Sequence, residues 1–347
     1  MIRNLAVRIP GVALALLLPA LAALGQSGSS GDNQTPIFKE TDPFEKPDRK
    51  EPSMWHRPAA KTPADQLARA ANYEREKRRS RAISANNALV HKWHNSPEAV
   101  IAQRNMGRLL EEDGQYEEAF SEYQYLIVYF AGQFSFLDVL DHQYRCANAL
   151  CAIDTKFLGF STRSIADVRR MYERILINGP NWTKAPEVAM RIGELRESED
   201  EVPEAIAAYE QVQNRFPNTE AAHDAAYRTA ACRSQFALAH PRDAHSRNDA
   251  VAALNAFLRK YPNDPLTGSL RDFLKDLDQQ TVEASYAQAV FYDRNRHDRA
   301  AAIVAYRDFQ RRFPDAPLAK EAAARLQLLE KSALPAHTQG VTNEVVR

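Results

Sequence analysis

Glycine is scarce in this chain, with only 12 among 347 residues. Phosphate-binding loops and turn-rich β folds need glycine, whereas glycine is costly inside a helix. Cysteine is scarcer still, and Cys146, Cys151 and Cys232 cannot all pair with one another. Cys146 and Cys151 are five residues apart in a helical pattern, so they face different directions. We interpret all three as small residues that fill helix contacts, not as a disulfide framework or a metal site.

Net charge and catalytic motifs are lacking as well. The 45 Lys and Arg residues balance 45 Asp and Glu residues, which argues against a nucleic-acid partner. The sequence has no glycine-rich phosphate loop, no H-E-x-x-H, no paired C-x-x-C and no G-x-S-x-G. It therefore predicts an all-α, non-enzymatic protein that needs no cofactor or metal.

Residues 1–25 have the form of a secretory signal. Arg3 and Arg8 are their only charges, and the apolar run from Gly11 to Leu24 follows. This run is shorter than the roughly 20 residues of a membrane-spanning helix and contains Pro19, so cleavage before Gln26 is favoured over retention as an anchor. We expect an exported protein of the periplasm.

A proline-rich segment, 26–63, follows the signal and is predicted to be a disordered linker. Its isolated apolar residues, among them Phe44 and Trp55, leave open a docking peptide that folds on a partner. Helical periodicity then runs over 64–331, and 332–347 is predicted to be a flexible tail.

The helical part repeats one short pattern, an alanine four residues before an aromatic or leucine, with proline eight residues after that residue. The pattern is clearest at Ala205, Tyr209 and Pro217. Its anchors at 123, 172, 209, 254 and 306 lie 49, 37, 45 and 52 residues apart, which indicates internal repeats with loops of unequal length.

Each element of the pattern has a physical role. The alanine leaves room beside the large ring, so that a second helix can approach closely. Gly107 and Gly193, each 12 residues before such an alanine, are expected on that second helix. Proline ends the helix, and the Asn or Asp after it is expected to cap the next one, as are Ser96 and Asp264 before their own prolines. The residues expected to pack the repeats are Gly107, Ala119, Tyr123, Tyr172, Gly193, Ala205, Tyr209, Pro217, Ala250, Leu254, Pro262, Ala302, Tyr306 and Pro314.

Gly193, Ala205, Tyr209 and Pro217 stand at the spacing of tetratricopeptide repeats, and the chain resembles that family. The resemblance implies a superhelix of about five to six helical hairpins with a groove that binds proteins. The sequence from Ala302 to Asp315 also resembles a narrower family, the BamD/YfiO outer-membrane assembly lipoproteins. That family normally ends its signal with a lipobox, whose cysteine is acylated. This chain has no such cysteine, since "LAALGQSG" at the end of its signal contains none.

The narrower resemblance implies a periplasmic scaffold that takes part in β-barrel protein assembly. A partner could hold this scaffold at the periplasmic face of the outer membrane. The partners would be a β-barrel assembly protein or unfolded outer-membrane proteins. An adaptor for cell division or peptidoglycan synthesis is the alternative. Arg104 and Arg108, four apart on a first helix whose exposed face would line the groove, are candidates for binding a partner's carboxylate. The alternative for these two is a solvent-exposed pair balanced by Glu111 and Glu112.

Overall fold

The computed structural model describes Phe44, Pro47, 57–154 and 165–331, with no account of the side chains of 153 and 154. The predicted signal, most of the linker and the predicted tail lie outside these residues. Helices make up nearly all of the described part, and it contains no strand. The helices are α1 (Pro63–Arg75), α2 (Arg79–Lys92), α3 (Pro97–Glu112), α4 (Tyr116–Tyr129), α5 (Phe136–Asp154), α6 (Ile165–Asn178), α7 (Ala185–Ser198), α8 (Val202–Arg215), α9 (Glu220–Ala239), α10 (Ala244–Lys260), α11 (Thr267–Val290), α12 (Arg299–Arg312) and α13 (Ala319–Lys331).

Consecutive helices pack on one another throughout the described residues. Six hairpins, from α1–α2 to α11–α12, are followed by α13, which packs on α12. This confirms the predicted all-α, tetratricopeptide-like helical-hairpin superhelix.

Four hairpins turn through a residue in the left-handed conformation, two positions before the second helix begins. These residues are Lys77, Gly114, Asp200 and His297, with φ of 57°, 77°, 62° and 51°. In the α7–α8 hairpin the amide of Glu201 donates to the carbonyl of Arg196 at 3.0 Å, the six-to-one bond of a Schellman cap. Only one of the four residues is glycine, so sequence composition alone gives little sign of this shared turn.

In two hairpins a glycine of the first helix lies against the tyrosine ring of the second helix. A Cβ atom on Gly193 would lie 2.5 Å from Cε1 of Tyr209, and one on Gly107 would lie 2.7 Å from Cε1 of Tyr123. These glycines therefore admit the tyrosine ring of the second helix against the backbone of the first. Of the other residues expected to pack the repeats, the prolines Pro217, Pro262 and Pro314 are exposed and do not pack in the core. The rest are buried: Ala119, Ala205, Ala250, Leu254, Ala302, Tyr172 and Tyr306.

The aromatic residues before the prolines leave helical geometry as expected. Phe216, Tyr261 and Phe313 have φ from −127° to −132° and ψ from 52° to 61°. Pro217, Pro262 and Pro314 follow them directly and exclude α geometry there.

Helix capping differs from the expectation. Thr219, not Asn218, caps α9 by accepting from the amide of Ala222 at 3.2 Å. Ser96 is the N-cap residue of α3, but its buried hydroxyl makes no hydrogen bond. Asp264 does accept from an amide, that of Leu266, at 2.7 Å.

Phe44 of the predicted linker packs onto the helical domain. Its side chain is 4% exposed, and its ring stands edge-on to that of Phe120 of α4 at 4.8 Å between centroids. Pro47 is buried too. The apolar residues of the linker left open that this segment is a docking peptide, but the expected docking site was on a partner protein. In the structure Phe44 packs on this chain itself.

Candidate functional site

The solvent-facing side of α3 carries the residues proposed to bind a partner. Arg104 is exposed and Arg108 half-buried, and Ile101, one turn before Arg104, is 50% exposed. Helix α5 is linked to α3 by the ion pair of Asp138 with Arg104, and it exposes Leu137, at 58%. We call Ile101, Arg104, Arg108 and Leu137 the α3–α5 face.

Both arginines of this face form ion pairs within the chain. Arg104 pairs with Asp138 of α5. Arg108 joins two carboxylates, Glu74 of α1 at 2.6 Å and Glu112 at 2.7 Å. Ion pairs as exposed as these contribute about 0–1 kcal/mol, so a partner's carboxylate can replace them at little cost.

A cleft of 490 Å³ opens beside Arg108, between α3 and α5. Its walls carry mixed charge, which suits a polar ligand group better than an apolar one. The lining residues are Arg108, Glu111, Glu112, Tyr116, His142, Arg145 and Ala149.

Glu111 is the most constrained charge in this cleft. Burial opposes its ionisation, but hydrogen bonds from His142, Tyr123 and Arg145 outweigh burial and lower the pKa of Glu111 to about 2. The hydroxyl of Tyr123 donates at 2.8 Å and Nε of Arg145 at 2.9 Å. Glu111 is therefore an anion that joins α3, α4 and α5, and not a proton donor at neutral pH.

The same arrangement recurs along the chain. In the α7–α8 hairpin the hydroxyl of Tyr209 donates to Glu197 at 2.7 Å, and Arg228 of α9 contacts the other carboxylate oxygen at 3.3 Å. Burial, together with the bond to Glu197, raises the pKa of Tyr209, so its hydroxyl stays protonated. We call this set of a tyrosine, a carboxylate and an arginine from the helix that follows the hairpin an interhairpin triad.

A third triad shows how the spacing can change. Tyr306 donates to Asp293 at 3.4 Å, and Arg325 of α13 binds both oxygens of Asp293 at 2.7 and 2.8 Å. The acid precedes the tyrosine by 13 residues here and by 12 in the other two. A π-helix over Phe291–Asn295 accommodates the extra residue.

Residues 187–219, which span most of α7 and all of α8, match the family model for the tetratricopeptide repeat. One hairpin of this chain is a tetratricopeptide repeat. It is the hairpin that contains Gly193, Ala205, Tyr209 and Pro217, so the matched residues include four of those expected to pack the repeats.

Comparison with curated proteins gave no match. Among solved structures, the tetratricopeptide-repeat protein YrrB, described as having an unusual peptide-binding site, is 14% identical over 61% of this chain and 92% of its own, with a TM-score of 0.32. A tetratricopeptide-repeat protein from Parabacteroides merdae is 12% identical over 78% and 100%, with a TM-score of 0.32. The TPR2AB domain of yeast Sti1, solved with a peptide of HSP90, is 15% identical over 78% and 98%, with a TM-score of 0.24. Because these TM-scores are below 0.5, the repeat assignment rests on the family model and on the packing of the hairpins.

Sequence reasoning missed the interhairpin triads. The acid and the tyrosine of a tetratricopeptide hairpin lie 12 residues apart at Glu111 and Tyr123 and again at Glu197 and Tyr209. That repeated spacing was the available signal. The arginines follow the acids at 34, 31 and 32 residues, and this variation hides the third member.

The described residues contain no group of three or more His, Cys, Asp or Glu side chains placed to hold a metal ion. None of their helices combines the length and apolar character required to cross a bilayer.

Proposed function

We propose that this chain is a non-catalytic scaffold of the periplasm that binds protein partners on the α3–α5 face and takes part in assembling outer-membrane β-barrel proteins. The observation that carries the proposal is the exposure of Ile101 and Leu137 beside the Arg104–Asp138 ion pair. These exposed apolar side chains offer a partner contact area, and the arginine beside them, whose own ion pair is weak, offers a charge that sets orientation.

A suitable partner segment would present apolar side chains to Ile101 and Leu137 and a carboxylate to Arg104 or Arg108. The carboxylate would take the place of Asp138 or Glu112, so it would set orientation more than affinity. An extended chain or an amphipathic helix meets both requirements.

The proposed cellular role is supported by the N-terminal sequence and by the sequence of the last repeat. The apolar run after Arg3 and Arg8 favours export, and the Ala302 to Asp315 segment resembles the outer-membrane assembly lipoproteins. Because "LAALGQSG" carries no cysteine, attachment to the membrane would go through the partner.

Co-purification from detergent-solubilised envelopes tests the proposal. The full chain is compared with an Ile101→Asp/Leu137→Asp variant, and Val304→Asp, a position 65% exposed on α12, is the matched control. We expect a β-barrel assembly protein with the wild type and the control but not with the double variant. Recovery of a cell-wall synthase instead would move the assignment to an envelope adaptor, and retention of the partner by the double variant would exclude this face.

A further inference from the structure

Phe44 is buried on a domain from which it is remote in sequence. It precedes Pro63, the first residue of α1, by 19 positions, yet only 4% of its side chain is exposed. Its contact is the ring of Phe120, which is fully buried in α4. Pro47, three residues later, is also buried.

The sequence around Phe44 has the composition of a short recognition motif and not of a core element. The stretch "TDPFEKPDRKEP" has Phe44 as its only large apolar residue, among charges and prolines. Prolines at 43, 47 and 52 prevent a helix or a central strand from running through it.

We infer that the surface of α4 around Phe120 is a docking site for a short peptide that presents a phenylalanine, and that the Phe44 segment of this chain occupies it. A contact centred on one aromatic side chain is small, and a free peptide would form it only weakly. Tethering raises the local concentration of the segment to the millimolar range, and the contact is then populated. The site involves α4 and not the exposed residues of the α3–α5 face, so it stands or falls independently of the proposed function.

A peptide supplied in trans tests this inference. The receptor is the full chain carrying Phe44→Ala, which leaves the site empty, and the probe is a fluorescent peptide of residues 40–52. We expect saturable binding by fluorescence polarisation, with affinity at least about tenfold weaker for the wild type, whose own Phe44 competes. Peptides with Phe44→Ala or Pro47→Ala are the matched controls and should bind more weakly.

Two results in this assay would overturn the inference. One is the absence of saturable binding to the folded Phe44→Ala chain, whose circular dichroism is recorded in parallel. The other is equal binding of the native and Phe44→Ala peptides. Dimerisation of the wild type that is lost in Phe44→Ala would assign the occupant to a second copy and overturn the cis assignment.

A second chain keeps the test valid if Phe44→Ala fails to fold. It retains Phe44 and carries a protease site in place of residues 53–56, between Phe44 and α1. After cleavage, excess 40–52 peptide should displace the N-terminal fragment on size exclusion. A fragment that stays bound in the presence of excess peptide would make Phe44 a fixed part of the core and would refute docking.

Discussion

Gly193→Ala provides the sharpest test of how the hairpins pack. The added Cβ would lie 2.5 Å from Cε1 and 2.7 Å from Cδ1 of Tyr209, whereas nonbonded carbon atoms prefer separations of about 3.5–4.0 Å. The ring or the helix must therefore move by about 1 Å. Tyr209 is fully buried and its hydroxyl is held by Glu197 at 2.7 Å, so the ring cannot move away without loosening that bond.

The magnitude follows from three opposing effects. Alanine stabilises a helix interior by about 1 kcal/mol relative to glycine. Overpacking a well-filled core costs about 1–3 kcal/mol, and weakening the buried hydrogen bond costs about 1 kcal/mol more. We therefore expect Gly193→Ala to lower the free energy of unfolding by about 1–3 kcal/mol.

Urea unfolding followed by circular dichroism measures this change. For a slope of about 3 kcal/mol/M, the midpoint should fall by about 0.3–1 M. Gly268→Ala is the matched control, because a Cβ on this helical glycine of α11 meets nothing within 4 Å. The control should be as stable as the wild type or more so, by up to about 1 kcal/mol. Equal stabilisation by both substitutions would refute the close approach of α7 and Tyr209.

Three further outcomes are expected. Tyr306→Ala removes a ring that is 1% exposed and should cost about 3–5 kcal/mol in urea unfolding, whereas Val304→Ala, at a position 65% exposed, should stay within about 0.5 kcal/mol. Folding lowers the pKa of Glu111 from 4.5 to about 2, so the contribution of ionised Glu111 to stability is present above pH 4.5 and is lost as the pH falls from 4.5 to about 2. The difference in free energy of unfolding between wild type and Glu111→Gln should therefore shrink over this pH range. A difference that stays constant would contradict this role of Glu111. Asp200→Gly relieves a left-handed residue (φ 62°) and should raise the free energy of unfolding in urea by up to about 1 kcal/mol, whereas Gly114→Ala (φ 77°) should lower it; changes of the same sign would argue against the shared turn.

The repeats could be predicted from sequence because their packing is local. Ala205 and Tyr209 are four residues apart, and Gly193 is 12 residues before Ala205. At these distances helical geometry alone brings the side chains together. The family model then matches the same hairpin.

The counterions of the candidate site were only partly predictable. Glu112 does pair with Arg108, as the alternative for the two arginines anticipated, since the two residues are four apart on one helix. Glu111 pairs with Arg145 instead, because it faces α5. Choosing between these partners requires the rotation of α3 relative to its neighbours, which the sequence pattern leaves undetermined. Whether Arg104 and Arg108 bind a partner stays a prediction.

The features that the sequence concealed depend on single residues or on variable loops. Asp293 is displaced by one position by the π-helix, so it falls outside the 12-residue spacing of Glu197 and Tyr209. Phe44 stands alone in a proline-rich stretch, where neither helical nor strand periodicity can indicate burial.

The interhairpin triads bear on how such a chain can lengthen or shorten during evolution. The arginine of each triad belongs to the helix that follows the hairpin supplying the acid and the tyrosine, as Arg228 of α9 follows Glu197 and Tyr209. A duplicated hairpin that carries its own leading arginine forms a triad at the new junction, whereas loss of the last helix removes Arg325 and its ion pair with Asp293. Gene duplication within the array should therefore be tolerated more readily than a stop codon before α13.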